Sequence, residues 1–248
     1  MKIFFVCFFM MTLFTKVHAQ EEEVYRNPSK ESLAYHEYRT TESSPPYGLL
    51  KIKKLIGQLK LKEDNEGGGL LALNPKTYAL LSLREKFTYH LIHGEAYSQI
   101  CDAYPPTQDE HKKIFGYLPD VLDEYNWSEG QLKFLRQNRD SVMAFIKECV
   151  TKKNHVGVNF KRAIVEINGI EMIPFLIKIY NSEKKDGDLL TLLNLLLRRN
   201  KDAAFLASAT YKKLYGEEYS FTSFILFNKA NEALIIKRAT DFYNAKSN

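Results

Sequence analysis

The stretch Leu189, Leu190, Thr191, Leu192, Leu193, Asn194, Leu195, Leu196, Leu197 places seven leucines in nine positions, broken only by Thr191 and Asn194. A helix apolar on nearly every side is one surrounded by others, so this segment predicts the centre of a helical fold. Nine residues are too few to cross a bilayer, which needs roughly 20.

Outward from that centre, helical spacing recurs through Phe160 to Ile167, Glu171 to Tyr180, Gly187 to Arg199, Lys201 to Tyr215 and Ser223 to Asn244. The Phe221 to Phe227 segment would also suit a strand, because it is rich in aromatic and branched residues. Upstream, Ser128 and Gln131 have capping-box spacing, with Trp127 and Leu132 placed as a hydrophobic staple, and Leu132, Leu135, Val142, Phe145, Ile146 and Cys149 continue the pattern. Thr107 and Glu110 repeat the box and predict a helix ending before Pro119. Asn74 and Pro75 open a helix expected to run to Gly94, followed by a shorter one from Glu95 to Tyr104. Leu49, Ile52, Leu55, Ile56 and Leu59 form the apolar side of an amphipathic helix whose lysines read as its solvated face, with acidic lipid as the other reading; Glu66 to Gly69 follow as a flexible stretch. The expected fold is all-α, a multi-helix array or bundle over residues 48–248.

Lys161, Arg162, Ala163, Ile164, Val165, Glu166, Ile167, then Glu171, Met172, Ile173, Pro174, Phe175, Leu176 resemble the junction between two helices of a HEAT-type repeat. The resemblance covers residues 160–197, and no second copy follows at a period of about 40 residues. It implies a HEAT-like helical hairpin within a partner-binding scaffold and carries no catalytic residue.

The amino-terminal end reads differently. Lys2, the apolar run Ile3 to Phe14 and the small-residue pattern Val17-x-Ala19 form a signal peptide over residues 1–19. Cleavage would remove Lys2 and Lys16 and lower the formal charge from +5 to +3, too small a surplus to argue for nucleic acid or an anionic membrane. Residues 20–47, polar and containing Glu21 to Glu23 and Pro45-Pro46, read as a flexible leader with one helical turn near Leu33 to Tyr38. Export makes Cys101 and Cys149 the remaining thiols; they are expected to form a structural disulfide worth about 4 kcal/mol, the alternative being two buried apolar side chains.

Chemistry-bearing residues gather most densely as His90, His93 and Glu95, with Asp102, Glu110 and His111 beyond. His90 and His93 at i and i+3 could face one metal ion, although His93, beside Gly94, is also placed to cap a helix end. No phosphate loop, dinucleotide fingerprint, nucleophile elbow or paired Cys-x-x-Cys occurs, so no cofactor is expected. The pattern predicts an exported binding or structural module recognising another protein, a peptide or a glycan, with no membrane span after cleavage. The alternative is an extracytoplasmic hydrolase, metal-dependent through His90 and His93.

Overall fold

The computed structural model describes residues 27–63, 68–98, 106–119, 124–217 and 222–247. The signal-peptide reading, Cys101 and Asp102 lie outside the described residues.

The leucine stretch becomes α9 (Gly187–Arg199), with Leu189, Leu190, Leu192, Leu193, Leu196 and Leu197 all buried. Around it pack α7 (Val158–Glu166), α8 (Ile173–Glu183), the short α10 (Ala203–Leu206) and α12 (Lys229–Ser247), while α11 (Ala209–Tyr215) follows α10. Thr191 is tolerated inside the stack because its hydroxyl donates to the Phe115 carbonyl at 2.8 Å. The helices from α9 onward are 13, 4, 7 and 19 residues long, which gives no repeating unit. No HEAT repeat is shown among the described residues, and what stands at the expected junction is a turn between two helices: α7 ends at Asn168-Gly169, Asn168 has φ +50°, and Pro174 sits in the first turn of α8.

The majority is helical, but the all-α expectation is corrected by two small antiparallel sheets. One runs in the order β1 (Lys62–Glu63), β2 (Gly68–Leu70), β3 (Ala96–Ser98), β5 (Tyr125–Asn126). The other pairs β4 (Lys113–Phe115) with β6 (Phe224–Leu226), Ile114 opposite Ile225. Gly68 and Gly69, expected to be flexible, lie within β2; a Cβ on Gly69 would stand 2.8 Å from the Lys62 carbonyl oxygen, so close strand approach requires glycine there. Where a helix from Glu95 was expected, β3 forms instead. The Thr107–Glu110 pair makes only half its box: Glu110 accepts from the Thr107 N–H at 2.7 Å, and a single 3-10 turn leads directly into β4.

Two expected helices are each broken in two. Asn74 caps α3 (Pro75–Ala79), and a second box at Ser82 and Glu85 starts α4 (Leu83–Ile92). Ser128 and Gln131 form their complete box at the head of α5 (Glu129–Gln137), but Asn138 ends it, and α6 (Arg139–Lys153) leaves in a new direction with the Arg139 guanidinium on the Ile167 and Asn168 carbonyls. Ser128→Ala is expected to cost about 1–2 kcal/mol in urea unfolding, since one hydroxyl serves both the Gln131 N–H and the Glu95 carboxylate. A loss below a few tenths would show the box to be redundant.

The leader departs furthest from expectation. Residues 30–40 form α1 (Lys30–Thr40), capped by Ser29, rather than one turn in a mobile segment. Its Arg39 is buried, and just beyond it Ser43 and Asn159 exchange two hydrogen bonds, Ser43 N–H to Oδ1 at 2.9 Å and Nδ2 to the Ser43 carbonyl at 2.8 Å. Gly157 is glycine because a Cβ there would lie 2.2 Å from the Ser43 nitrogen. Next, α2 (Leu49–Ile56) packs on α4 over a small satellite core of Ile52, Leu81 and Tyr89, distinct from the main core around α9.

Candidate functional site

His90 and His93 do not share a helical face, because α4 ends at Ile92 and His93 is an extended capping residue with φ −146° and ψ 129°. Each ring is engaged separately. His90 is buried, its Nε2 2.9 Å from the Tyr78 hydroxyl and its ring 4.3 Å from that of Phe134; burial pushes its pKa down to about 3, so it is neutral. His93 Nε2 lies 2.6 Å from the Leu71 carbonyl and so must carry the proton, leaving Nδ1 as the acceptor. Burial lowers the His93 pKa, while the Leu71 carbonyl acts in the opposite direction. Glu95 accepts from the Tyr89 and Ser128 hydroxyls at 2.7 and 2.6 Å. Among the described residues no group of three or more His, Cys, Asp or Glu side chains is gathered as a metal ion would require.

Beside His93 opens a cleft of about 240 Å³ between the end of α4, β5, the start of α5 and α7, walled by Tyr125, Asn126, Trp127, Asn159 and Arg162. Trp127, read from sequence as a staple, has its indole N–H fixed on the His90 carbonyl at 2.7 Å. The Arg162 guanidinium lies 5.4 Å from the Trp127 ring centroid and donates to the Asn126 side-chain oxygen at 3.3 Å. Gly94, just past the end of α4, lets the chain run close to β5: a Cβ there would be 2.8 Å from the Tyr125 carbonyl carbon. The Asn159 side chain makes four hydrogen bonds, to Ser43 N–H and carbonyl, the Leu91 carbonyl and the Phe160 N–H, so the cleft rests on a rigid polar hub. Of the cleft residues, the sequence singles out His93 as a candidate ligand and Trp127 as a staple, with a ligand platform as its other reading. Asn126, Asn159 and Arg162 carry no motif, and they meet through contacts between α7 and a strand more than 30 residues away.

Glu110 and His111 are drawn to α1 instead. His36 Nδ1 stands 3.1 Å from both Glu110 oxygens, and Ser32 Oγ is 3.3 Å from His111 Nδ1. Arg39 makes a bidentate pair with Asp188 at 3.0 and 2.8 Å, reaches Glu110 at 3.4 Å and lies 4.1 Å over the Phe115 ring. The neighbouring Lys161 and Asp186 pair at 2.9 Å, both buried. Ser32 is fully buried, so its contact with His111 offers no nucleophile to a substrate; the network fastens α1 to the start of α9. Cys149 is buried, its sulfur 3.8 Å from the Tyr47 hydroxyl, and burial raises the pKa of its thiol. Cys101, its expected partner, is not among the described residues, so the structure does not place the pair.

Comparison with known family models, curated proteins and solved structures finds no match, and the functional reading rests on this geometry.

Proposed function

We propose that the chain is an exported binding module that holds a glycan or peptide segment in the Trp127 cleft. The observation that carries this reading is the cleft itself, where an indole fixed by its N–H stands among Tyr125, Asn126, His93 and Arg162. Aromatic faces bordered by planar polar side chains suit ligands with one apolar face and hydroxyl or amide edges. A neutral His93 adds a hydrogen-bond acceptor for such an edge. The sequence resemblance of residues 160–197 to a HEAT-type unit would be in keeping with a scaffold, and no described helix is long and apolar enough to cross a membrane. The hydrolase alternative draws no support from His90, whose ring is enclosed by Tyr78 and Phe134.

Trp127 is the only tryptophan, so its emission reports on this cleft alone. Titration with a panel of oligosaccharides and short peptides should shift that emission for one class. Tyr125→Ala should weaken binding about tenfold, the loss of one aromatic contact. A ligand that binds by calorimetry yet leaves Trp127 emission and the Tyr125→Ala affinity unchanged would move the site elsewhere.

A further inference from the structure

Beside the satellite core stand the two most exposed large apolar side chains among the described residues: Leu50 is 85% exposed and Leu80 82%. Each has lysine beside it on the same helical face. Leu50, Lys53 and Lys54 are spaced i, i+3, i+4 along α2, turned away from the buried Ile52. Lys76 and Leu80 are i and i+4 across α3 and its cap. Lys53, Lys54 and Lys76 are exposed and have no acidic partner among the described residues, whereas Lys51 is held by Glu85 at 2.8 Å. Residues 48–86 contain eight basic and four acidic side chains, a surplus of four against three for the chain without residues 1–19. The segment that carries the two leucines therefore also carries a positive surplus no smaller than that of the whole chain without residues 1–19.

We propose that the outer face of α2 and the α3–α4 corner dock on an anionic lipid surface, with Leu50 and Leu80 entering the acyl boundary and Lys53, Lys54 and Lys76 meeting the phosphates. Lysine stems lie along apolar surface while the ammonium reaches outward, so leucine beside lysine on one face fits the headgroup boundary. A polyanion such as nucleic acid would satisfy the lysines but offers the leucines no apolar phase. An eight-residue helix is far too short to span, which leaves lying on the surface as the geometry available. None of these leucines and lysines lines the Trp127 cleft, and the proposal stands or falls independently of what that cleft holds.

The test is co-sedimentation of the full mature chain with vesicles of mixed phosphatidylglycerol and phosphatidylcholine, beside vesicles of phosphatidylcholine alone. Binding is expected only to the anionic vesicles, and it should weaken with salt. The double variant Leu50→Asp, Leu80→Asp should lower the partition about tenfold or more, and Lys53→Glu with Lys54→Glu should do the same. Because these side chains are exposed, both variants should keep the parent's melting temperature, which separates lost docking from lost folding. Equal binding by the leucine variant, no binding to anionic vesicles, or binding to soluble heparin that the leucine changes leave intact would each overturn the proposal.

Discussion

Arg39→Ala is expected to destabilise the protein by about 3–5 kcal/mol, enough to lower the melting temperature by roughly 10 °C in a domain of this size. The side chain is only 7% exposed and its main partner, Asp188, 1% exposed, so truncation leaves a carboxylate buried without its counter-ion. Glu110 loses a second contact but retains His36 and the Thr107 N–H. The informative control is Arg39→Met combined with Asp188→Leu. Removing both charges takes away the unpaired carboxylate, so this pair should regain most of the lost stability in urea unfolding even though it carries two changes. Should Arg39→Ala cost less than about 1 kcal/mol, α1 would be a loosely attached leader after all.

That expectation also marks where the sequence stops being informative. Ser29 and the spacing of Ser32, His36 and Arg39 describe a polar helix with little apolar face, and nothing local says that it docks. Its anchor, Asp188, is 149 positions away, at the head of the leucine stretch. By contrast, Leu189 to Leu197, the Ser128–Gln131 box and the Asn74 cap were legible because each signal is complete within a few residues. Ser82 and Glu85 have the same box spacing, but the expectation of one helix from Asn74 to Gly94 followed periodicity alone and ran through it. Of the strands only β6 had a local signal, the aromatic and branched residues of Phe221 to Phe227; β3 and β4 are three residues long, too short to show alternation, and exist through pairing with segments far along the chain. The cleft has the same character. His93 was visible as a residue type, but its role depends on α4 ending one residue before it and on Arg162 crossing to Trp127.

The buried Lys161–Asp186 pair leads to a second large effect, one that depends on pH. Burial raises the Asp186 pKa above its ordinary carboxylate value, and the Lys161 ammonium at 2.9 Å opposes that rise. Lys161→Met preserves most of the side-chain volume at a position that is fully buried, so packing changes little while the opposing charge disappears. The folded-state pKa of Asp186 then climbs further from its unfolded value. An acid whose pKa is higher when folded binds a proton on folding, so its contribution is fully present below the unfolded value and is lost as pH rises through the folded one. The variant should therefore be weaker than the parent by about 3–5 kcal/mol at neutral pH, with the deficit shrinking by up to about 1.4 kcal/mol for each unit of acidification. Urea midpoints at several pH values between 5 and 8 measure this directly. Adding Asp186→Asn to Lys161→Met removes the titrating group, and the slope should vanish with it. A deficit that stays flat with pH in the single variant would mean that Asp186 finds another counter-charge once Lys161 is gone, and His155, which already lowers its pKa, is the residue to test next.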